Sequence, residues 1–302
     1  MEDYQKYLDP RVLNKIARLD LKARLIVEGY LTGLHKSPYR GVSVEFASHR
    51  NYTPGDDLRY LDWKIFGRSD RLYIKEYEQE TNLNCYLLLD VSESMAYQST
   101  GISKFEYGSY IAASLAYLMI QQQDAVGLVL FDREVLKVIP PAGSQLHLNA
   151  ILKEISQATP TRPTDIKAIS LNMAERIEKR GLVIIISDLF DNPLNILKGL
   201  QRLRHKGQEI IVFNIMDEAE IKFPFNRMTY FEGMEESGNL IADPRPLRRE
   251  YLNALNNFTT LLRRNCLKER IDYVQISTDQ NLDVALTAYL STRLATHKVG
   301  RK

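Results

Sequence analysis

The chain has 302 residues, 44% apolar and 26% charged, an ordinary globular composition with room for one large domain or one domain plus a smaller companion. With 40 basic residues against 38 acidic ones the formal net charge is only +2. That near-balance excludes a global field strong enough to gather nucleic acid or an anionic membrane.

The chain opens Met1-Glu2-Asp3-Tyr4, acidic and without an apolar run, so no secretory signal is expected and a cytoplasmic location is. No stretch reaches the ~18 uncharged apolar residues of a membrane span, which predicts no stable membrane insertion. Residues 1–81 are rich in Arg, Tyr, Asp and Gly and are expected to form a smaller N-terminal segment. From residue 82 to 302 the pattern changes to short apolar runs alternating with helical ones.

The first run, Asn84–Leu89, includes Cys85; with Cys266 it matches no metal or redox spacing, so both are expected as buried free thiols. Phe105 to Gln122 is apolar almost all round and predicts a helix buried on most of its surface. Val126–Phe131 is a second buried strand. Glu134–Ile139 follows Asp132-Arg133 so closely that it should pair antiparallel, because a parallel return needs a crossover. Ile166, Ile169, Met173 and Ile177 mark a helix, and Leu182–Ser187 another continuous apolar strand. Asp191-Asn192-Pro193 predicts a helix start, with Gly207 placed as its C-terminal cap. Ile210–Met216 is a further buried strand, and residues 223–243, with Pro224, Gly233 and Gly238, read as an inserted loop or small hairpin. Leu247 to Leu262 marks a late helix, Asp272–Ser277 a last strand, and Leu282, Leu286 and Leu290 a closing helix. The basic end His297–Lys302 reads as a frayed tail.

Strands alternating with helices predict an α/β fold, a doubly wound and mostly parallel Rossmann-like sheet. Ligands of such sheets bind beyond the C-terminal strand ends, where strand order reverses. Asp90, Asp132, Asp188 and Asp217 occupy those ends. A tight hairpin claims Asp132 as a turn residue, and Asp217 with Glu218 can be a solvated loop. Asp90 and Asp188 remain. On neighbouring strands, two carboxylates about 5 Å apart repel by roughly 3 kcal/mol at an effective dielectric of about 20, which a cation would offset. Ser92 and Ser94 add hydroxyls on the loop after Asp90, and Thr164 can bring a third. These hard oxygens suit Mg²⁺ or Mn²⁺ rather than zinc. Taken singly, each residue also fits a helix N-cap, Thr164 included; the combination and its order carry the metal reading.

Asp90-Val91-Ser92-Glu93-Ser94 resembles the D-x-S-x-S of von Willebrand factor A-like domains, and Thr164 and Asp188 stand where that family supplies its later threonine and aspartate. The segments 41–46, 50–59, Asp62-Trp63 and 76–80 are similar to one bacterial branch, the "domain of unknown function 58". The resemblance implies a metal-ion-dependent adhesion site: Ser92, Ser94 and Thr164 coordinate through hydroxyls, and Asp90 and Asp188 balance charge directly or through water. One position stays open for a partner's carboxylate. It also implies a MoxR-type AAA+ ATPase as partner and a role as adaptor or co-chaperone. Arg162-Pro163 before Thr164 departs from the small glycines usual there. Within 50–59, Asp56 or Asp57 is expected to pair with Arg59 or Arg50 as a structural turn rather than to form a second acidic site. Trp63 is expected in packing.

Two other functions compete with a protein-binding module. A metal-assisted hydrolase of the phosphoester class also uses Asp-rich strand ends. Against it, the sequence has no phosphate-binding loop of the G-x-x-x-x-G-K-[ST] type and no G-x-S-x-G elbow, and His35, His49, His147, His205 and His297 are scattered. The other is a structural interaction protein with a vestigial ion site.

Overall fold

The computed structural model describes residues 44–51, 65, 67, 72–79, 84–121, 123–160, 162–177, 179–233, 238–280 and 282. The chain divides into two compact units, Tyr30–Asn82 and the remainder, Met1–Gly29 with Leu83–Lys302. In the smaller unit, β1 (Val44–Asn51) pairs antiparallel with β2 (Tyr73–Gln79), with a register shift between Phe46 and Ser48. The expected turn around Asp56 and Asp57, the packing of Trp63, and the closing helix beyond Leu282 lie outside the described residues.

In chain order the larger unit contains β3 (Asn84–Asp90), α1 (Lys104–Gln121), β4 (Ala125–Phe131), β5 (Val135–Ala142), α2 (Gln145–Gln157), α3 (Ile166–Arg176), β6 (Leu182–Ser187), α4 (Pro193–His205) and β7 (Glu209–Met216). Then come α5 (Glu218–Lys222), the strands β8 (Thr229–Phe231) and β9 (Leu240–Ala242), α6 (Pro244–Lys268) and β10 (Asp272–Ser277). Six strands form one sheet in the order β10-β7-β6-β3-β4-β5. All neighbours run parallel except β4 and β5. This is the α/β, doubly wound and mostly parallel sheet expected from the alternation of patterns, with order reversing between β3 and β6.

Burial explains why the central strands are apolar throughout. All six residues of β6 are buried, and alternate side chains of each strand serve opposite layers. Leu87, Leu89, Ile184, Ile186 and Phe213 pack in the layer that holds α1 and α2. Leu88, Val183, Ile185 and Val212 pack in the layer of α3, α4 and α6. The edge strand β5 is only partly buried and contains Pro140-Pro141, residues that an edge tolerates because one row of donors faces no neighbour. Gly127 lets it approach: a Cβ there would stand 2.6 Å from the Ile139 carbonyl oxygen, where the ladder shifts register between Val126 and Leu128.

Local signals set the helix ends that frame the site. Asn192 caps α4 by accepting from the Leu194 amide, with a proline in the first turn, and Gly207 beyond the helix has φ +86°, a conformation that costs glycine least. The stretch 223–243 carries β8 and β9 as a small antiparallel hairpin. Among the described residues no helix is long and apolar enough to cross a membrane.

Candidate functional site

β3 and β6 are parallel neighbours, with Leu89 opposite Ile186, so Asp90 and the Ser187-Asp188 pair leave the sheet side by side at the reversal of strand order. The chain after Asp90 is held from two directions. Val91 donates its amide to the Phe131 carbonyl at 2.8 Å, and Glu93 donates to the Arg162 carbonyl at 2.8 Å. Ser92 and Arg162 form a parallel bridge. That bridge brings the loop of Thr164 to the strand ends with Arg162-Pro163 in place of glycines.

Four of the five candidate residues join in one hydrogen-bonded cluster. The Ser92 amide donates to Asp90 Oδ1 at 2.8 Å, the Ser92 and Ser94 hydroxyl oxygens lie 3.1 Å apart, and the Thr164 hydroxyl donates to Asp90 Oδ2 at 3.4 Å. The N-cap alternative fails for two of them. Ser92 precedes a 3₁₀ turn, Glu93–Ala96, but makes no side-chain cap. At α3 the cap is Asp165, which accepts from the Ala168 amide at 2.8 Å; Thr164 is left to face Asp90.

Asp188 is buried beside this cluster, turned toward a different partner. Its Oδ2 accepts from the Lys104 ammonium at 2.7 Å, and its Oδ1 from the Phe190 amide at 3.2 Å. Lys104, itself only 2% exposed, also donates to Glu220 Oε1 at 2.7 Å. Glu220 is aimed by a capping box: its Oε2 accepts from the Asp217 amide at 2.8 Å while Asp217 Oδ1 accepts from the Ala219 amide at 2.8 Å. Asp217 is therefore no solvated loop residue. It is fully buried, caps α5, and accepts from the Ser99 amide at 3.0 Å and from the Ser99 hydroxyl. Asp132 has the turn role expected of it, accepting from the Glu134 amide at 3.0 Å.

A family model described as "protein of unknown function DUF58" matches residues 48–259. The chain belongs to the DUF58 family. Among relatives of this DUF58 protein, an uncharacterised Mycobacterium bovis protein, Mb1516, is 24% identical over 220 residues, covering 72% of this chain and 68% of that one. The uncharacterised Bacillus subtilis protein YeaD is 30% identical over 112 residues, 37% of this chain and 26% of its own. Among solved structures, the conserved hypothetical protein BatB from Bacteroides thetaiotaomicron superposes with a TM-score of 0.46 at 15% identity, over 70% of this chain and 99% of that one. The SpRpn10 VWA domain gives 0.37 at 13%, over 72% and 95%. Likenesses this distant carry no function across.

The electrostatics of the DUF58 strand ends follow from burial. The Asp90 carboxyl is pushed up to about 7, first by burial and then by the charge of Asp188; hydrogen bonds from Ser187 and from the Ser92 side chain and amide pull the other way. Burial alone would lower the Lys104 ammonium, but the two carboxylates it touches more than offset this and hold it above its ordinary value. Burial also raises Glu220, against the pull of Lys104.

Ser187 and Lys104 are the neighbours that the sequence pattern did not single out. The Ser187 hydroxyl donates to Asp90 Oδ2 at 2.6 Å and accepts from the Leu189 amide at 2.9 Å. As the last residue of a buried strand it looked like the end of an apolar run. Lys104 carried a signal, a single cation at the head of an otherwise apolar helix, but its partners lie 84 and 116 residues away.

The donor set fits a hard divalent ion. The buried Ser92 side chain hydrogen-bonds a carboxylate that burial leaves short of counter-charge, and the buried Ser94 hydroxyl lies against that of Ser92. Among the described residues no group of three or more His, Cys, Asp or Glu is placed so that it could hold a metal ion, so the hydroxyls are the ligands that the reading depends on.

Proposed function

We propose that this chain is a divalent-cation-dependent protein-binding module. Mg²⁺ or Mn²⁺ would be held by Asp90, Ser92, Ser94 and Thr164, with Asp188 contributing charge from the adjoining strand. The observation that carries the reading is one cluster at the fully buried carboxylate of Asp90, which accepts from the Ser92 amide and the Thr164 hydroxyl, with the Ser94 hydroxyl against that of Ser92. Neutral hydroxyl ligands leave a bound cation short of negative charge, and an acidic side chain from a protein partner supplies it. Lys104 sharpens this: by neutralising Asp188 it lowers the negative charge offered to the ion and strengthens the ion's demand for an outside carboxylate. The family resemblance adds a MoxR-type AAA+ ATPase as the partner, or an acidic client in an adaptor or co-chaperone role.

Isothermal titration of Mg²⁺ and Mn²⁺ into wild type and Asp90→Ala tests the site. Saturable binding is expected in the first and none in the second, and equal binding by both rejects it. At ten times Kd the ion should stabilise wild type by about 1.4 kcal/mol. Affinity capture with and without chelator, read by mass spectrometry, tests the partner: a MoxR-type ATPase recovered equally under both conditions would refute ion-dependent recruitment.

A further inference from the structure

A cavity of about 460 Å³ opens in the larger unit beyond β6 and β7, between the start of α4 and the middle of α6. It shares Asp188 with the candidate ion site but extends away from it on the layer of α6. A volume of a few hundred Å³ with apolar walls and few polar groups is the common form of a binding pocket. Here the walls include the aromatic residues Phe190, Tyr251 and Phe258, and the polar groups are Asp188, Asp191, Glu220, Asn214 and the Tyr251 hydroxyl.

Apart from the Asn214 amide and the Tyr251 hydroxyl, the polar groups are carboxylates, which accept. Three carboxylates stand against the ammonium of Lys104, which is already engaged with Asp188 and Glu220, and the charge of Lys167, which acts on Asp191. Asp191 makes no ion pair among the described residues. Asn214, on β7, lines the inner end of the cavity but is only 1% exposed, and its Nδ2 donates to the Tyr273 hydroxyl. The occupant therefore needs several N–H donors, positive charge, and a flat or apolar body to lie against aromatic rings. A guanidinium on its aliphatic stem meets all three, through planar donors and stacking on aromatic faces.

We propose that this cavity receives an arginine side chain from a bound polypeptide. The choice of a polypeptide rests on the binding-module reading above, because the ion site and the cavity meet at Asp188; the choice of a guanidinium rests on the cavity alone. An acidic residue of the partner would satisfy the ion, and an arginine near it would fill this cavity.

The test uses the full chain with chelator present, so that it does not depend on the ion. Met216 lines the cavity, and its ¹³C-methyl resonance reports occupancy during titration with N-acetyl-arginine amide, N-acetyl-norleucine amide and agmatine. Saturable shifts are expected for the arginine amide with Kd on the order of 1 mM, at least about tenfold tighter than the norleucine amide. Asp191→Asn should weaken binding about tenfold, and Ala254→Trp, a change at an exposed rim position, should block it. A Met216 resonance that never shifts, equal affinity for the arginine and norleucine amides, or unaltered binding by both variants overturns the proposal. Much tighter binding of agmatine than of the arginine amide also overturns it, by assigning the cavity to a free metabolite.

Discussion

Lys104→Met keeps the length of the side chain, removes its charge, and leaves two carboxylates facing an uncharged thioether. The Lys104 and Asp188 side chains are 2% and 4% exposed and that of Glu220 25%, and both ion pairs measure 2.7 Å. Removing one partner of a buried pair costs about 3–5 kcal/mol, because the orphaned charge cannot recover its hydration. Asp188 would also lose the cation that offsets its repulsion of Asp90. Against a typical total stability of about 5–15 kcal/mol this is a large fraction. For a domain of this size it corresponds to a fall in Tm of about 6–20 °C. Urea denaturation at neutral pH with chelator, followed by circular dichroism, measures it. Lys104→Met with Glu220→Gln removes one orphaned charge and should recover at least about 1 kcal/mol of the loss. If the proposed ion site is real, saturating Mg²⁺ should stabilise Lys104→Met more than wild type, since the ion replaces the missing charge. A loss below about 1 kcal/mol for the single variant, or a double variant no more stable than the single, would refute the buried network.

Further outcomes follow from single contacts. Ser187→Ala removes a donor from Asp90 and an acceptor from the Leu189 amide and should cost about 1–3 kcal/mol in the same urea assay; an unchanged midpoint would show that the hydroxyl is not engaged. Gly181→Ala places a Cβ 2.2 Å from the Asn84 carbonyl oxygen, a backbone clash expected to cost about 1–3 kcal/mol. Gly238→Ala, where a Cβ would meet nothing within 4 Å, should stay within about 0.5 kcal/mol. Cys85 and Cys266 are both buried. Burial, then the charge of Asp124, holds the Cys85 thiol well above its ordinary value, and burial pushes Cys266 up to about 12. Because only the thiolate reacts, neither should label with a disulfide reagent at pH 8 in the folded protein, and both should label in urea; fast labelling of the native chain would contradict the packing.

The sheet was legible because its evidence is local. Leu182–Ser187 and Asp272–Ser277 are strands with the bounds their composition predicted. The antiparallel edge followed from the short Asp132-Arg133-Glu134 link between β4 and β5, and the α4 start from Asn192-Pro193. Where reading failed, at least one deciding contact was distant. Asp217 follows a strand and precedes Glu218 and Glu220, a pattern equally suited to a solvated loop. Only the arrival of Ser99, 118 residues earlier, and the capping box on Glu220 make it a buried anchor.

The candidate site divides along the same line. The spacing of Asp90, Ser92 and Ser94 sets three oxygens on one loop whatever the fold, because strand and turn geometry act over a few residues. Their meeting with Thr164 needed the Glu93 to Arg162 hydrogen bond, and Asp188's bias toward Lys104 needed α1 packed across the sheet. Periodicity and turn chemistry act between near neighbours and are written in the chain. The pairing of buried charges is chosen only when packing has removed water and left each carboxylate to find its counter-charge within a few ångströms.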